Sequence, residues 1–228
     1  MKQDDVRAWL RDPSCQLSDG LIPATQIGAR ALAAAEEKHF FHWELEFPEV
    51  FFAPSKPGAQ DVQLRKDAGF DAVVGNPPYA QIEAIPTFCN LPSDTFVYFW
   101  ASLFQYLQYG AFGSFIVPSA WFTGANYLPL RELALSQGRI DRAIILPYDV
   151  FPDAYIDTCI AVVQKTTVIA PYSVLTRHMA KKEHGSTLPT VELFPVDIRL
   201  WEQDPQKRFV LDPIVLKLRE FDSSRRLI

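Results

Sequence analysis

The stretch that most limits how this chain can fold is Phe70 to Tyr79, Phe-Asp-Ala-Val-Val-Gly-Asn-Pro-Pro-Tyr. Ala72-Val73-Val74 is short, apolar and largely β-branched, so it is read as a buried strand at the centre of a parallel sheet. The strand has to end at Gly75-Asn76, because Pro77 and Pro78 have no N–H to give a ladder. Each proline also holds the residue before it extended. A polar amide, two rigid prolines and an aromatic ring are thereby fixed past the carboxyl end of a strand, where open α/β sheets bind their ligands.

These residue types suit chemistry on an exocyclic amine. The lone pair of such an amine is delocalised into its ring, which makes it a poor nucleophile. Two acceptors aimed at its N–H groups favour a more tetrahedral, more reactive nitrogen. The side-chain oxygen of Asn76 and the carbonyl of Pro77 can supply them. Tyr79 can stack on a base taken out of a duplex, worth about 1–3 kcal/mol. The competing reading of the tetrapeptide is a proline turn after a strand.

The remaining sequence reads as alternating elements. Residues 27–39 are Ala-rich and helical, with Thr25 as N-cap. Residues 40–52 form an aromatic and acidic block whose rings are expected mostly to pack, with His42 structural. Residues 53–69 read as a surface loop. A helix runs from the Ser93-Asp94 cap to Tyr109, stopped by Gly110. Residues 112–117 form a strand, and a helix over 128–137 stops at Gly138. Strands at 140–146 and 158–164 follow, joined closely enough to pair antiparallel. Residues 210–221 read as a helix.

Asn76-Pro77-Pro78-Tyr79 after Phe70-Asp71 resembles the catalytic motif of amino-group DNA methyltransferases, nearest in appearance to the adenine-N6 methylases of the Eco57I-like, type IIG restriction–modification class. The aromatic block before it, and Gly-Ala-Phe-Gly-Ser-Phe-Ile-Val-Pro-Ser at 110–119, are similar to segments of the same family. So is Val150-Phe151-Pro152, whose Phe151 the resemblance makes a second clamp on the target base. The competing reading for Phe151 is a ring plugging the sheet edge.

The resemblance implies the C-terminal half of a Rossmann-like, class I S-adenosylmethionine-dependent methyltransferase fold (α/β), followed by an extension. It makes Asn76, Pro77, Pro78 and Tyr79 catalytic, with Asn76 also beside the cofactor. The family's Gly-rich cofactor loop and ribose-binding acid are not visible ahead of Phe70. The chain is therefore expected to be a fragment or split subunit that needs S-adenosylmethionine and a complementary N-terminal half. Its other expected partners are double-stranded DNA and a recognition domain. Two alternatives share the motif or the chemistry's absence: a protein-glutamine or ribosomal-RNA methyltransferase, and a catalytically silent DNA-binding or interaction remnant.

Composition sets further limits. The net charge of −5 argues against a simple basic nucleic-acid-binding module. From Ala170 onward ten Lys and Arg stand against eight Asp and Glu, whereas the preceding part has twelve against nineteen. With Arg177, His178, Lys181, Lys182 and His184, this shift marks a boundary near 170. The expected organisation is an N-terminal segment (1–39), a catalytic half (40–169) and a linker toward recognition (170–228). Cys15, Cys89 and Cys159 are odd in number and lack ligand spacing, so reduced thiols, no metal site and a cytoplasmic location are expected, with no membrane span.

Overall fold

The computed structural model describes residues 33, 36–37, 41–59, 61–82, 91–92, 94–147, 150–151, 156–168, 170–179, 190–212 and 214–218. The chain divides into two units, Met1–Glu49 and Val50–Ile228.

In the first unit, α1 (Trp43–Glu46) starts where the His42 carbonyl accepts the N–H groups of Leu45 and Glu46, each at 2.9 Å. Its aromatics are less buried than expected, since Phe41, Trp43 and Phe47 are all exposed. They pack on one another instead, Trp43 and Phe47 stacking at 6.0 Å and Phe41 meeting Trp43 edge-on at 4.8 Å. Residues 33 and 36–37 are helical, and the rest of the expected helix over 27–39 lies outside the described residues.

After α2 (Pro48–Phe51), the second unit opens with a small hairpin, β1 (Phe52–Pro54) against β2 (Val62–Leu64), inside what reads as a loop. A six-stranded sheet follows. It contains β3 (Phe70–Gly75), β4 (Leu107–Pro118), β5 (Arg139–Ile145), β6 (Thr158–Gln164), β7 (Ser173–His178) and β8 (Phe194–Asp197), in the order β3-β4-β6-β5-β7-β8. β3 and β4 are parallel, β6 is antiparallel to both β4 and β5, and β7 is parallel to β5. The helices are α3 (Thr95–Tyr106), α4 (Ala120–Thr123), α5 (Leu128–Gln137) and α6 (Arg199–Glu202). No helix among the described residues is long and apolar enough to cross a membrane.

Among the described residues β3 lies at one edge of a mixed sheet, as a partial sheet places it, and Val74 is 82% exposed. Ala72-Val73-Val74 has the composition for burial, and among the described residues β4 alone lies beside it. Past residue 170, β7 and β8 extend the same sheet. Lys181, Lys182 and His184 lie outside the described residues. The helix expected over 210–221 is seen at 214–218.

The core explains why α3 sits where it does. Trp100 meets Phe115 of β4 edge-on at 5.2 Å, and a Cβ on Gly113 would come within 2.6 Å of the Leu103 side chain. A larger residue at 113 would push helix and strand apart. From Trp100 the aromatic packing runs through Trp121 to Phe209, which stacks on Trp201 at 4.5 Å. This packing ties the segment after β8 to the centre of the unit.

Gly69 sets where β3 begins. Its φ is +128°, and a Cβ there would lie 2.4 Å from the Gln108 nitrogen and 2.6 Å from the Leu107 carbonyl carbon. Gly69→Ala is expected to cost at least ~1–3 kcal/mol, because backbone strain and a clash with rigid backbone coincide. Gly58 also has positive φ but nothing within 4 Å. Chemical denaturation should therefore show Gly69→Ala losing clearly more stability than Gly58→Ala.

Candidate active site

β3, β4 and β5 run in one direction, so the segments after them emerge at one end of the sheet. Asn76 to Tyr79 leaves β3 there. Asn76 and Pro78 are exposed, Pro77 is buried and Tyr79 is half-buried. The segment is held from both sides.

One side is the start of α3. The Thr95 N–H donates to the Ala80 carbonyl at 2.8 Å. The Thr95 hydroxyl faces the carbonyls of Ala80, at 2.9 Å, and Pro78, which is closer. Gln81 and Asp94 form a β-bridge just beyond. Asp94 in turn accepts the Tyr127 hydroxyl at 3.0 Å, and burial together with this bond pushes the Tyr127 phenol up to about 12. The sequence marks Ser93-Asp94 as a helix cap, but Asp94 makes no side-chain cap bond and Thr95 does the anchoring. A Ser-Asp-Thr cluster at a helix start signals local bonding without saying which residue reaches back to a loop.

The other side is β4. The Tyr79 hydroxyl lies 2.6 Å from Asn76 Oδ1 and 3.1 Å from the Ile116 carbonyl. Burial raises the Tyr79 phenol above its ordinary range, so the group keeps its proton and stays a donor through neutral pH. Among the described residues, no hydrogen bond engages the Pro77 carbonyl. The loop therefore has its later carbonyls taken by Thr95, while Pro77 and the second lone pair of Asn76 Oδ1 remain as acceptors.

Phe151 is half-buried and follows β5 at the same end of the sheet. Its neighbour Val150 packs against the small cluster of Ile144, Leu146 and Met179. β5 stands three strand positions from β3, about 14 Å across the sheet. The structure thus joins Asn76 and Tyr79 by a hydrogen bond, with Pro77 between them in the chain, and leaves Phe151 on a separate loop over the same end. Residues 148–149 and 152–155 lie outside the described residues.

A cofactor cradle requires a glycine loop with room for a ligand. Here the Cβ positions of Gly75 and Gly113 are filled by Phe115 and Leu103, and those of Gly69 and Gly138 by backbone of the chain itself. Gly69, Gly75, Gly113 and Gly138 therefore serve internal packing. Among the described residues, none of these four glycines leaves room for S-adenosylmethionine.

A strand–loop carrying Asn-Pro-Pro-Tyr, a following helix and a mixed sheet with a final antiparallel pair define an α/β domain of methylase type. The chain belongs to the Eco57I restriction-modification methylase family, whose model matches residues 11–151. A protein of Methanocaldococcus jannaschii described as a type II restriction enzyme and methyltransferase is 31% identical over 131 residues, which cover 55% of this chain and 10% of that protein. The chain thus spans about a tenth of the length of this curated relative. A nuclease-deletion mutant of the type ISP restriction-modification enzyme LlaGI, solved in complex with a DNA substrate mimic, superposes with a TM-score of 0.50 at 11% identity. That match covers 63% of this chain and 18% of LlaGI, and it is a likeness of fold.

Proposed function

We propose that this chain supplies the target-amine side of an adenine-N6 DNA methyltransferase of a restriction–modification system. The observation that carries this reading is the division of acceptors in the loop. Thr95 takes up the carbonyls of Pro78 and Ala80, while among the described residues the Pro77 carbonyl and the second lone pair of Asn76 Oδ1, whose first takes the Tyr79 hydroxyl, can receive N–H donors. An exocyclic NH₂ has two such donors. Accepting both hydrogens draws the nitrogen toward a tetrahedral geometry and exposes its lone pair to a methyl donor. Tyr79 and Phe151 are the proposed stacking partners of the extruded base. S-adenosylmethionine, bound mainly by a complementary half, is the proposed source of the methyl group, and double-stranded DNA the proposed substrate. The Methanocaldococcus jannaschii relative is described as a restriction enzyme and methyltransferase in one protein, which supports placing this chain in such a system.

The test is methyl transfer by the chain completed with a cofactor-binding half, with the modified product identified. The expected product is N6-methyladenine in duplex DNA. Methylation of a protein glutamine or of ribosomal RNA with DNA untouched would move the activity to another user of the motif. No transfer to any of the three, by a folded complex that binds S-adenosylmethionine, would leave the silent remnant. The lone chain should bind S-adenosylmethionine weakly or not at all by calorimetry. A micromolar dissociation constant for it would show that the lone chain holds the cofactor itself.

A further inference from the structure

We infer that the Tyr79 hydroxyl is a positioning group for Asn76, separate from any stacking by the Tyr79 ring. The inference rests on the proposed function, since it assigns Asn76 its partner within that site. Asn76 is exposed, and Pro77 restrains its backbone but not its side-chain torsions. An unrestrained carboxamide samples several rotamers and presents oxygen or NH₂ with similar ease. The Tyr79 hydroxyl removes that freedom. Its single hydrogen follows the shorter of its two contacts, 2.6 Å to Oδ1 against 3.1 Å to the Ile116 carbonyl, and of the two ends of the amide only the oxygen can accept it.

The Ile116 carbonyl, at 3.1 Å, takes the weaker share of that same hydrogen, so the orienting group is itself referenced to β4. Asn76 is thereby fixed against the sheet rather than against its own loop. A carboxamide oxygen has two lone pairs, so one bond from Tyr79 leaves the other for an incoming amine. The half-buried hydroxyl retains its proton through neutral pH, so the bond persists over the range in which an enzyme of this kind works. The phenol thus prepays the ordering of an acceptor that an amine would otherwise have to organise.

Tyr79→Phe is the informative change, because it deletes the hydroxyl and keeps the ring. In the chain itself, ¹⁵N relaxation of the Asn76 side-chain amide should show an ordered group in the unaltered protein. In Tyr79→Phe its order parameter should fall below about 0.6. An unchanged order parameter overturns the inference and leaves the proposed function standing. In the completed, methyl-transferring enzyme, Tyr79→Phe should lower kcat about tenfold. KM for DNA and the fluorescence of 2-aminopurine at the target position should stay as they were, because the stacking ring is kept. A kcat that is unchanged or higher also overturns the inference, the latter showing that the hydroxyl blocks the acceptor. A completed enzyme that methylates nothing refutes the proposed function, and the order parameter still decides the role of the hydroxyl.

Discussion

Asn76→Ala should reduce methyl transfer by the completed enzyme on the order of a hundredfold or more, while DNA binding changes little. Alanine at this position removes Oδ1, one of two acceptors proposed for the target amine, and leaves the Pro77 carbonyl alone. The lost interaction strengthens as the nitrogen becomes tetrahedral, so its absence is felt in the transition state more than in the bound complex. DNA affinity should draw mainly on phosphate contacts made outside this loop. Asn76 is exposed, so its replacement leaves the aromatic core intact and the thermal midpoint close to that of the unaltered chain. Asn76→Asp keeps an oxygen for Tyr79 but adds charge and removes the NH₂, and should fall between the two in turnover. Parallel measurement of turnover and of DNA binding decides the matter. Near-normal turnover in Asn76→Ala would mean that the segment is a proline turn, and the methylase reading would fail at its centre.

How much of this was legible in the sequence depended on which forces act locally. β6 lies at 158–164 as read, because a continuous apolar run bounded by polar residues leaves little choice of register. The helix over 128–137 ends at Gly138 as read, but not for the usual reason. Gly138 has extended backbone, and a Cβ there would come within 2.3 Å of the Gln164 carbonyl. Close approach of β6 requires the glycine, and that contact is not visible locally.

Gly110 misled in the opposite direction. It has the positive φ of a helix stop, +88°, yet it lies inside β4, where its N–H donates to the Lys165 carbonyl at 2.7 Å. The helix already ends at Tyr106, and Leu107 begins the strand at once. For β3, three apolar residues indicate the burial a strand can accept. They do not indicate how many neighbours it has, and among the described residues it has one, β4.

The candidate site shows the same division. Asn76, Pro77 and Tyr79 were legible because proline stiffness acts on adjacent residues. Thr95 and Ile116 were not, since their contacts with the loop span 15 to 37 residues. Such contacts follow from the parallel placement of β3 beside β4, which brings the start of α3 and the end of β4 to the same loop.

Arg131→Leu should be the most destabilising of the substitutions considered, by about 3 kcal/mol or more. Arg131 is on α5 and fully buried. Its Nη1 donates to the carbonyls of Trp121, at 2.6 Å, and Gly124, at 2.9 Å, and its Nε donates to the Gln206 carbonyl at 3.0 Å. One guanidinium thus joins the turn after α4 to the segment that follows α6. Leucine fills part of the volume but leaves those carbonyls without donors, at ~1–3 kcal/mol for each that stays out of water. Gln206 is exposed and its carbonyl can turn to solvent, so the cost is expected mainly from Trp121 and Gly124. For a chain of this size the thermal midpoint should drop by about 10 °C. Lysine keeps the charge but cannot span three acceptors from one compact ammonium, so Arg131→Lys should recover only a minor part. The loss should be concentrated where the arginine binds, with limited proteolysis cutting between α6 and Leu211 before it reaches β4 or β6. A midpoint within 2–3 °C of the unaltered chain would show that the aromatic packing of Trp201 and Phe209 holds that segment without the guanidinium.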